Sequence, residues 1–358
     1  MNKGIAFAGN LIVDNLKFAE KWPVVTGLTT ISRQSKALGG LASTCTVCTA
    51  ILDPDVPVKV VGIVGEDELG DLILSEFSGY PQVDTQFVTR RGETSYTDVI
   101  TEPDGRRTFF QFRGANALLG PEAFDFAKID ADILHIGYVL LLDTLDGPDP
   151  DYPTALCRVL ADARKAGILT SVDVVSEDGD RFQKIVTPAL AYTDILTIND
   201  FEASAVTGIP LRDEAGNLLA ENLESCVRTL AAMGVHKWVC VHMPEVAAGI
   251  DIETEAYTER KTLKLPEGFI CSSVGAGDAF ACGLLLGAYH GLSLTEAIDQ
   301  ANAVAAQSLA GDSAAAALKT LPEVLAAMGR FEIPACAGMT EGIAGMTEGI
   351  AGMTGVVS

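Results

Sequence analysis

SSVGAGDAFACGLLLGAY, residues 272–289, joins a run of small residues to an apolar segment of helical length. Small residues directly before a helix let the backbone approach an anion, which the unpaired first-turn N–H groups and the helix dipole stabilise. Asp278 falls in the first turn of the helix predicted over 276–289. The segment therefore predicts an anion hole at Gly275, Ala276 and Gly277 beside a positioned carboxylate.

This arrangement suits phosphoryl transfer. A carboxylate can take the proton of an attacking hydroxyl while N–H groups hold the phosphoryl group under attack. A helix N-terminus with glycines for packing and an aspartate as ordinary dipole partner explains the same segment. The segment alone leaves both interpretations open.

The tetrapeptide Gly275–Asp278, followed by Phe280 and Gly283, resembles the C-terminal signature of the ribokinase-like (PfkB) carbohydrate kinases. The resemblance extends over about residues 4 to 325. It implies an α/β fold, a three-layer sandwich with a mostly parallel central sheet and a small β-sheet lid. It also implies an ATP-dependent kinase that transfers the γ-phosphoryl group to a hydroxyl, with Asp278 as general base and the Gly-Ala-Gly segment as anion hole.

Positions near the amino terminus resemble the part of the family's active site that binds the sugar. Gly9 and Asp14 match its early G-x-x-x-x-D, whose aspartate binds sugar hydroxyls, and Gly39-Gly40 matches its substrate-side turn. The resemblance implies a substrate site made of Asn10, Asp14, Gly39, Gly40 and Thr44.

Two further segments resemble the nucleotide side. The sequence NDFE at 199–202 is similar to the family's N-x-x-E motif, which supports magnesium and phosphate, although N-x-x-E is also a capping-box variant. Residues 301–306 resemble the helix that flanks the adenine site. The implied cofactors are ATP and Mg²⁺, with Asn199, Ser273 and Asn302 at the nucleotide and Asn199 and Glu202 at the metal.

Three positions depart from the family pattern. Ser272 stands where an aspartate usually helps to hold a monovalent cation, and its lack of charge argues against potassium activation. Thr44 replaces an asparagine and lacks the paired donor and acceptor of an amide. His242-Met243-Pro244 replaces a Thr-Leu-Gly turn, so the nucleotide edge must be built differently.

Hairpin signals over about 11–33 and 94–112 predict the lid, which would exclude water as a competing phosphoryl acceptor. Three aromatic residues in the second segment suit either the core of the lid or a homodimer interface through it: Phe109, Phe110 and Phe112.

The Gly-Gly turn has no adjacent cation, which favours an unphosphorylated sugar or sugar acid over a sugar phosphate. Apolar Leu41 would tolerate a base, so a nucleoside kinase is the main alternative. A non-catalytic sugar or nucleotide sensor is a third interpretation, against which the retained Asp278 argues. The cations nearest in sequence read as solvated lid charges: Arg33, Lys36 and Arg113.

The rest of the chain fits a layered α/β protein followed by a tail. Strands are predicted at 58–64, 133–136, 168–174, 195–198 and 238–242, and helices at 41–52, 154–166, 223–233, 294–310 and 321–328. We assign residues 1–331 to the kinase domain and 332–358, a Gly/Ala/Met/Thr repeat, to a disordered tail.

The net charge of -23 argues against nucleic acid and anionic membranes as partners. The sequence shows no signal segment, and its apolar runs are too short to cross a bilayer, so we expect a cytoplasmic protein. The same negative charge repels ATP, which is also an anion. An ATP site would therefore need a divalent cation or backbone N–H groups to offset this repulsion locally.

Overall fold

The computed structural model describes residues 3–177 and 179–331, and in this part of the chain the strands form two separate sheets. The strands are, in chain order, β1 (Ile5–Gly9), β2 (Ile12–Ala19), β3 (Ile31–Gly39), β4 (Val58–Val64), β5 (Val83–Arg90), β6 (Ser95–Thr101), β7 (Arg107–Phe112), β8 (Ile133–Val139), β9 (Leu169–Val174), β10 (Ile195–Asn199), β11 (Trp238–His242), β12 (Val246–Asp251) and β13 (Tyr257–Lys261). The α-helices are α1 (Leu41–Leu52), α2 (Glu68–Phe77), α3 (Asp143–Asp146), α4 (Ala155–Lys165), α5 (Thr187–Leu190), α6 (Asp200–Thr207), α7 (Leu223–Ala232), α8 (Ala276–Tyr289), α9 (Leu294–Ser308) and α10 (Leu321–Met328).

The large sheet has nine strands in the order β13-β12-β11-β10-β9-β8-β1-β4-β5. All pairs from β11 to β5 are parallel, and only β12 and β13 run antiparallel at one edge. Strands such as β1 and β4 are apolar along almost their whole length, as expected where both faces of a sheet are covered. The predicted mostly parallel sheet is confirmed.

Helices cover both faces of this sheet. One apolar core joins α1, α2, α8, α9 and α10 to one face, and a second joins α4, α6 and α7 to the other. The result is the predicted three-layer sandwich. The carboxyl ends of the parallel strands meet at one edge, where α/β proteins usually bind their ligands.

The small sheet is the predicted lid, with strand order β3-β2-β6-β7. Its β2–β6 pair is parallel and its other two pairs are antiparallel. The pairing places Asp14, Thr97 and Gln111 in one row across neighbouring strands. Because side chains alternate between the faces of a strand, this row shares a face with Arg107 and Phe109, while Phe110 and Phe112 lie on the other.

The predicted repeat tail, 332–358, lies outside the described residues. Within the described ranges, the helices are too short or too polar to cross a bilayer.

Candidate active site

A cavity of about 790 Å³ lies between the lid and the carboxyl ends of the central strands. The lid contributes Asp14, and the helix α8 contributes Asp278 together with the glycines that precede it. Asn199 and Glu202 line the same cavity at the end of β10. The topology therefore brings the substrate-side, base and magnesium-side predictions to one place, although they are separated by up to 264 positions (14 to 278) in the chain.

Asp278 is buried in the first turn of α8, at the wall of this cavity. The hydroxyl of Tyr138 donates to both carboxylate oxygens of Asp278, at 3.1 and 3.3 Å. Burial raises the pKa of Asp278 to about 7, against the lowering effect of the hydrogen bond from Tyr138. A carboxyl whose pKa lies near neutrality can accept and release a proton at physiological pH.

The predicted anion hole lies at the start of α8, where two glycines line the cavity. Gly275 caps the helix with φ of +73°, and a Cβ there would lie 2.5 Å from the Cβ of Ala314. A Cβ on Gly277 would lie 3.3 Å from the ring of His242. Gly275 and Gly277 both line the cavity, so at these two positions no side chain stands between an anion and the backbone. The N–H of Ala276 instead bonds the carbonyl of Ser273, at 3.4 Å.

Asp14 is the central residue of the predicted sugar side. Burial raises the pKa of Asp14 to about 6. A Cβ on Gly39 would lie 2.3 Å from the Asp14 carboxylate, so a larger residue there would force the carboxylate to move. Gly40 lines the main cavity, and Thr44 lines a smaller adjoining cavity that also reaches Asp278.

Five of the predicted site residues do not line the main cavity: Gly39 and Thr44 line only the smaller one, and Asn10, Ala276 and Asn302 line neither. Asn10 is fully buried, and its amide donates to the carbonyls of Gly137 and Tyr138, at 3.5 and 3.4 Å. Asn302 is buried in α9, and its amide nitrogen has no hydrogen-bond partner within residues 3–177 and 179–331. The side chains of Asn10 and Asn302 therefore lie outside both cavities.

The structure shows a capping box at the start of α6. Asn199 Oδ1 accepts from the N–H of Glu202, and the Glu202 carboxylate accepts from the N–H of Asn199, at 2.9 and 3.0 Å. Ser176 donates to the same carboxylate at 2.8 Å. The box holds Glu202 at the cavity, and burial raises its pKa to about 7. The capping interpretation and a ligand role are thus compatible.

Mg²⁺ fits this corner as a partly protein-bound ion. The buried Asp173, at the end of β9, adds a second carboxylate; burial raises its pKa well above the ordinary value, and the negative charge of Glu202 raises it further. In the described part of the chain, no three acidic, histidine or cysteine side chains cluster as a metal cage. Mg²⁺ usually keeps waters and takes one or two carboxylates plus substrate phosphates, so a full cage is not required.

Sequence reasoning missed several residues of the cavity wall. Arg107 crosses from the lid to the loop before α8, where its guanidinium donates to Ser272 Oγ at 3.2 Å. His242 also lines the cavity, and its ring packs at a tilt against Phe280 with ring centroids 4.8 Å apart. Burial lowers the pKa of His242 to about 4, so its ring is neutral. Other missed polar residues of the wall include Thr97, Gln111, Tyr138 and Asp173.

Comparison with known proteins agrees with this geometry. The pattern of the pfkB family carbohydrate kinases matches residues 4–321. The chain belongs to the PfkB carbohydrate kinase family. It is therefore a phosphotransferase that uses a hydroxyl group as acceptor.

Relatives extend over most of this PfkB chain. It is 27% identical to an ATP-dependent ribose-1-phosphate kinase of Halopiger xanaduensis, over 87% of the chain and 93% of the relative. It is 26% identical to a ribokinase of Arabidopsis thaliana, over 75% of the chain and 65% of that protein. The structure of Arabidopsis thaliana ribokinase with ribose and ATP superposes with a TM-score of 0.75, at 22% identity, over 92% and 99% of the two chains.

Proposed function

We propose that this PfkB kinase transfers the γ-phosphoryl group of ATP to a hydroxyl of a small, unphosphorylated sugar or sugar acid. The observation that carries the proposal is the position of Asp278, which lies beside the glycine cradle and faces the cavity that Asp14 shares. A base and an anion hole in the same cavity as a hydroxyl-binding carboxylate suit a polyhydroxylated acceptor.

The chain's own groups support each part of the transfer. Asp14 orients the sugar by accepting hydrogen bonds from its hydroxyls, and Thr97 and Gln111 extend that polar row. The acceptor oxygen forms a bond to the γ-phosphorus, the bond to the bridging oxygen of ADP breaks, and the hydroxyl proton passes to Asp278. First-turn N–H groups of α8 stabilise the charge that develops on the phosphoryl oxygens.

Magnesium is the implied cofactor, and Glu202 and Asn199 would hold it, with Asp173 beside them. When bound, the ion neutralises charge on the ATP phosphates. The cavity wall carries five carboxylic acids and, within the described ranges, Arg107 as its one Arg or Lys side chain. Because acidic groups outnumber basic ones on this wall, a bound cation or backbone N–H groups must offset the negative charge of ATP.

The sugar end of the cavity supports an uncharged acceptor group. Arg33 lies over the ring of Phe18, 3.9 Å from its centroid, and Arg113 bonds Asp143 and the carbonyl of Leu140. Lys36 is exposed on β3, and neither it nor the two arginines line the cavity. Among the Arg and Lys side chains of the described residues, a phosphate on the sugar would therefore meet only Arg107, whose guanidinium contacts Ser272.

A sugar phosphate is the second candidate, favoured by the ribose-1-phosphate kinase among the relatives and by the presence of Arg107. The support for a nucleoside is weaker than the sequence suggested. Leu41 is fully buried, and its side chain packs at Gly137 instead of lining the cavity. A nucleoside kinase is nevertheless among the solved neighbours, so nucleosides belong in the substrate test.

We expect ADP release, with ATP and Mg²⁺, from one class in a panel of sugars, sugar acids, sugar phosphates and nucleosides. Asp14→Asn should raise the KM for that substrate about tenfold or more, because a hydrogen bond to a charged group is worth about 1.5–3 kcal/mol. The KM for ATP should stay within about twofold of wild type.

Asp71→Asn is the matched control, since Asp71 lies on the exposed surface of α2. If no member of the panel gave ADP release while ligands still raised the unfolding temperature, the proposed kinase activity would be wrong and a non-catalytic sugar or nucleotide sensor would be favoured.

We also propose that the outer face of the lid forms a homodimer interface. Exposed apolar side chains cover this face, and Trp22 stacks on Phe110 with ring centroids 6.3 Å apart. Phe110 is 54% exposed and Val25 is 92% exposed, an unfavourable state for a patch of this kind in an isolated subunit.

Sedimentation velocity should show a dimer that Phe110→Glu converts to a monomer, because a buried unpaired carboxylate opposes association. The control is Phe201→Glu, which alters an exposed aromatic of α6 outside the lid. A monomeric wild type at micromolar concentration would contradict the interface.

A further inference from the structure

Tyr138 has an unusual backbone at the end of β8. The pairing of β8 with β9 shifts register between Ile136 and Val139, so the chain bulges at this point. Tyr138 has φ of +57°, in the left-handed region that bulky side chains avoid. Bulges commonly redirect a side chain next to an active site, and strained residues persist only where their surroundings hold them.

The surroundings do hold this bulge. The fully buried Asn10 donates its side-chain amide to the carbonyls of Gly137 and Tyr138. Gly137 itself packs under Leu41, where a Cβ would lie 2.2 Å from the leucine side chain. These contacts hold the backbone of the bulge and so set the direction in which the Tyr138 side chain leaves it.

The fixed direction brings the phenol to the base. Its hydroxyl donates to both oxygens of Asp278, at 3.1 and 3.3 Å, and the ring lines both the main cavity and the smaller one. An acceptor hydroxyl that gives its proton to Asp278 must donate to one of the same two oxygens. Tyr138 therefore competes with the reacting hydroxyl for the Asp278 carboxylate.

We propose that Tyr138 is a positioning residue that caps Asp278 until a sugar binds, and so suppresses hydrolysis of ATP by water. This inference rests on the proposed kinase function. In the suppressed reaction, the water oxygen bonds to the γ-phosphorus, the bond to the bridging oxygen of ADP breaks, and the water proton passes to Asp278. A sugar that Asp14 also holds can displace the phenol, whereas a single water offers only one replacement hydrogen bond.

The test compares two rates in one enzyme: ATP hydrolysis without sugar and phosphorylation of the sugar found in the panel. Tyr138→Phe keeps the ring and removes the hydroxyl. We expect the ratio of hydrolysis to sugar phosphorylation to rise about tenfold, since hydrogen bonds to charged groups are among the stronger ones. The rise must come from faster hydrolysis rather than from slower sugar phosphorylation, and thermal unfolding shows separately that the variant folds.

The matched control is Tyr192→Phe, whose ring packs against Tyr152 near the amino end of β10, at the edge of the sheet away from the cavity. The control should leave the ratio unchanged. An unchanged ratio in Tyr138→Phe would overturn the cap, as would a loss of sugar phosphorylation without added hydrolysis. A wild type that phosphorylates no sugar would instead reject the proposed function, so the two failures are distinguishable.

Discussion

Asp278→Asn is expected to lower kcat for sugar phosphorylation by about 10³-fold, because a positioned general base contributes about 10²–10⁴. Asparagine has the same shape and still accepts a hydrogen bond from Tyr138, so binding of ATP and sugar should persist. Steady-state kinetics and isothermal titration with both ligands measure the two effects separately. A variant with more than a tenth of wild-type activity would contradict the assignment of the base.

The same substitution, Asp278→Asn, should increase thermal stability although it lowers activity. Burial raises the pKa of Asp278 from 3.8 to about 7, so its contribution to stability falls as the pH rises from about 4 to about 7, and the loss is complete at pH 8. Asp278→Asn should therefore unfold at a higher temperature than wild type at pH 8. The control is Asp194→Asn, a buried aspartate at the amino end of β10 that bonds Thr170 and Arg164, where loss of stability is expected without loss of chemistry.

Arg107→Ala is expected to lower kcat/KM by about 10²–10³, the usual effect of removing one group that stabilises transition-state charge. Arg107 is the one Arg or Lys on the cavity wall in the described ranges, and it reaches Ser272 beside the anion hole. The acidic surroundings leave no nearby cation to replace it. Arg107→Lys should recover part of the loss, since lysine keeps the charge but not the planar fork.

Arg106→Ala is the matched control for Arg107, because the adjacent side chain is exposed and pairs with Asp104 and Glu102. Its kcat/KM should stay within about twofold of wild type. Equal effects of the two substitutions would show that general lid charge matters and that the contact with Ser272 does not.

The helices and strands of the central layers could be predicted because the hydrophobic pattern of each lies within its own short segment of sequence. The apolar helices α8 and α10 and the buried strands β4 and β11 carry strong patterns, and their observed bounds agree with the predicted ones. The antiparallel edge was missed. Strand β13 reads YTERK, and such a polar segment resembles a loop until its partner β12 supplies the hydrogen bonds.

The residues of the candidate site also differ in whether a local sequence pattern was enough to predict them. Asp278 and the glycines before α8 form one contiguous motif, so the sequence alone was enough to find them. Arg107 and Arg106 are neighbours with the same chemistry, and only the pairing of β7 with β6 determines which faces the cavity. Tyr138 lies in an apolar run, and nothing in that run shows the bulge that turns its hydroxyl toward Asp278.

The most direct test of the account follows the γ-phosphoryl group by ³¹P NMR in a mixture of the enzyme, ATP, Mg²⁺ and the sugar or sugar acid selected by the panel. We predict a new sugar-phosphate resonance that grows as the γ-phosphate signal of ATP declines, and its absence with Asp278→Asn. A decline that yields only inorganic phosphate, or no decline with any acceptor, would contradict the proposal that this protein is a sugar kinase.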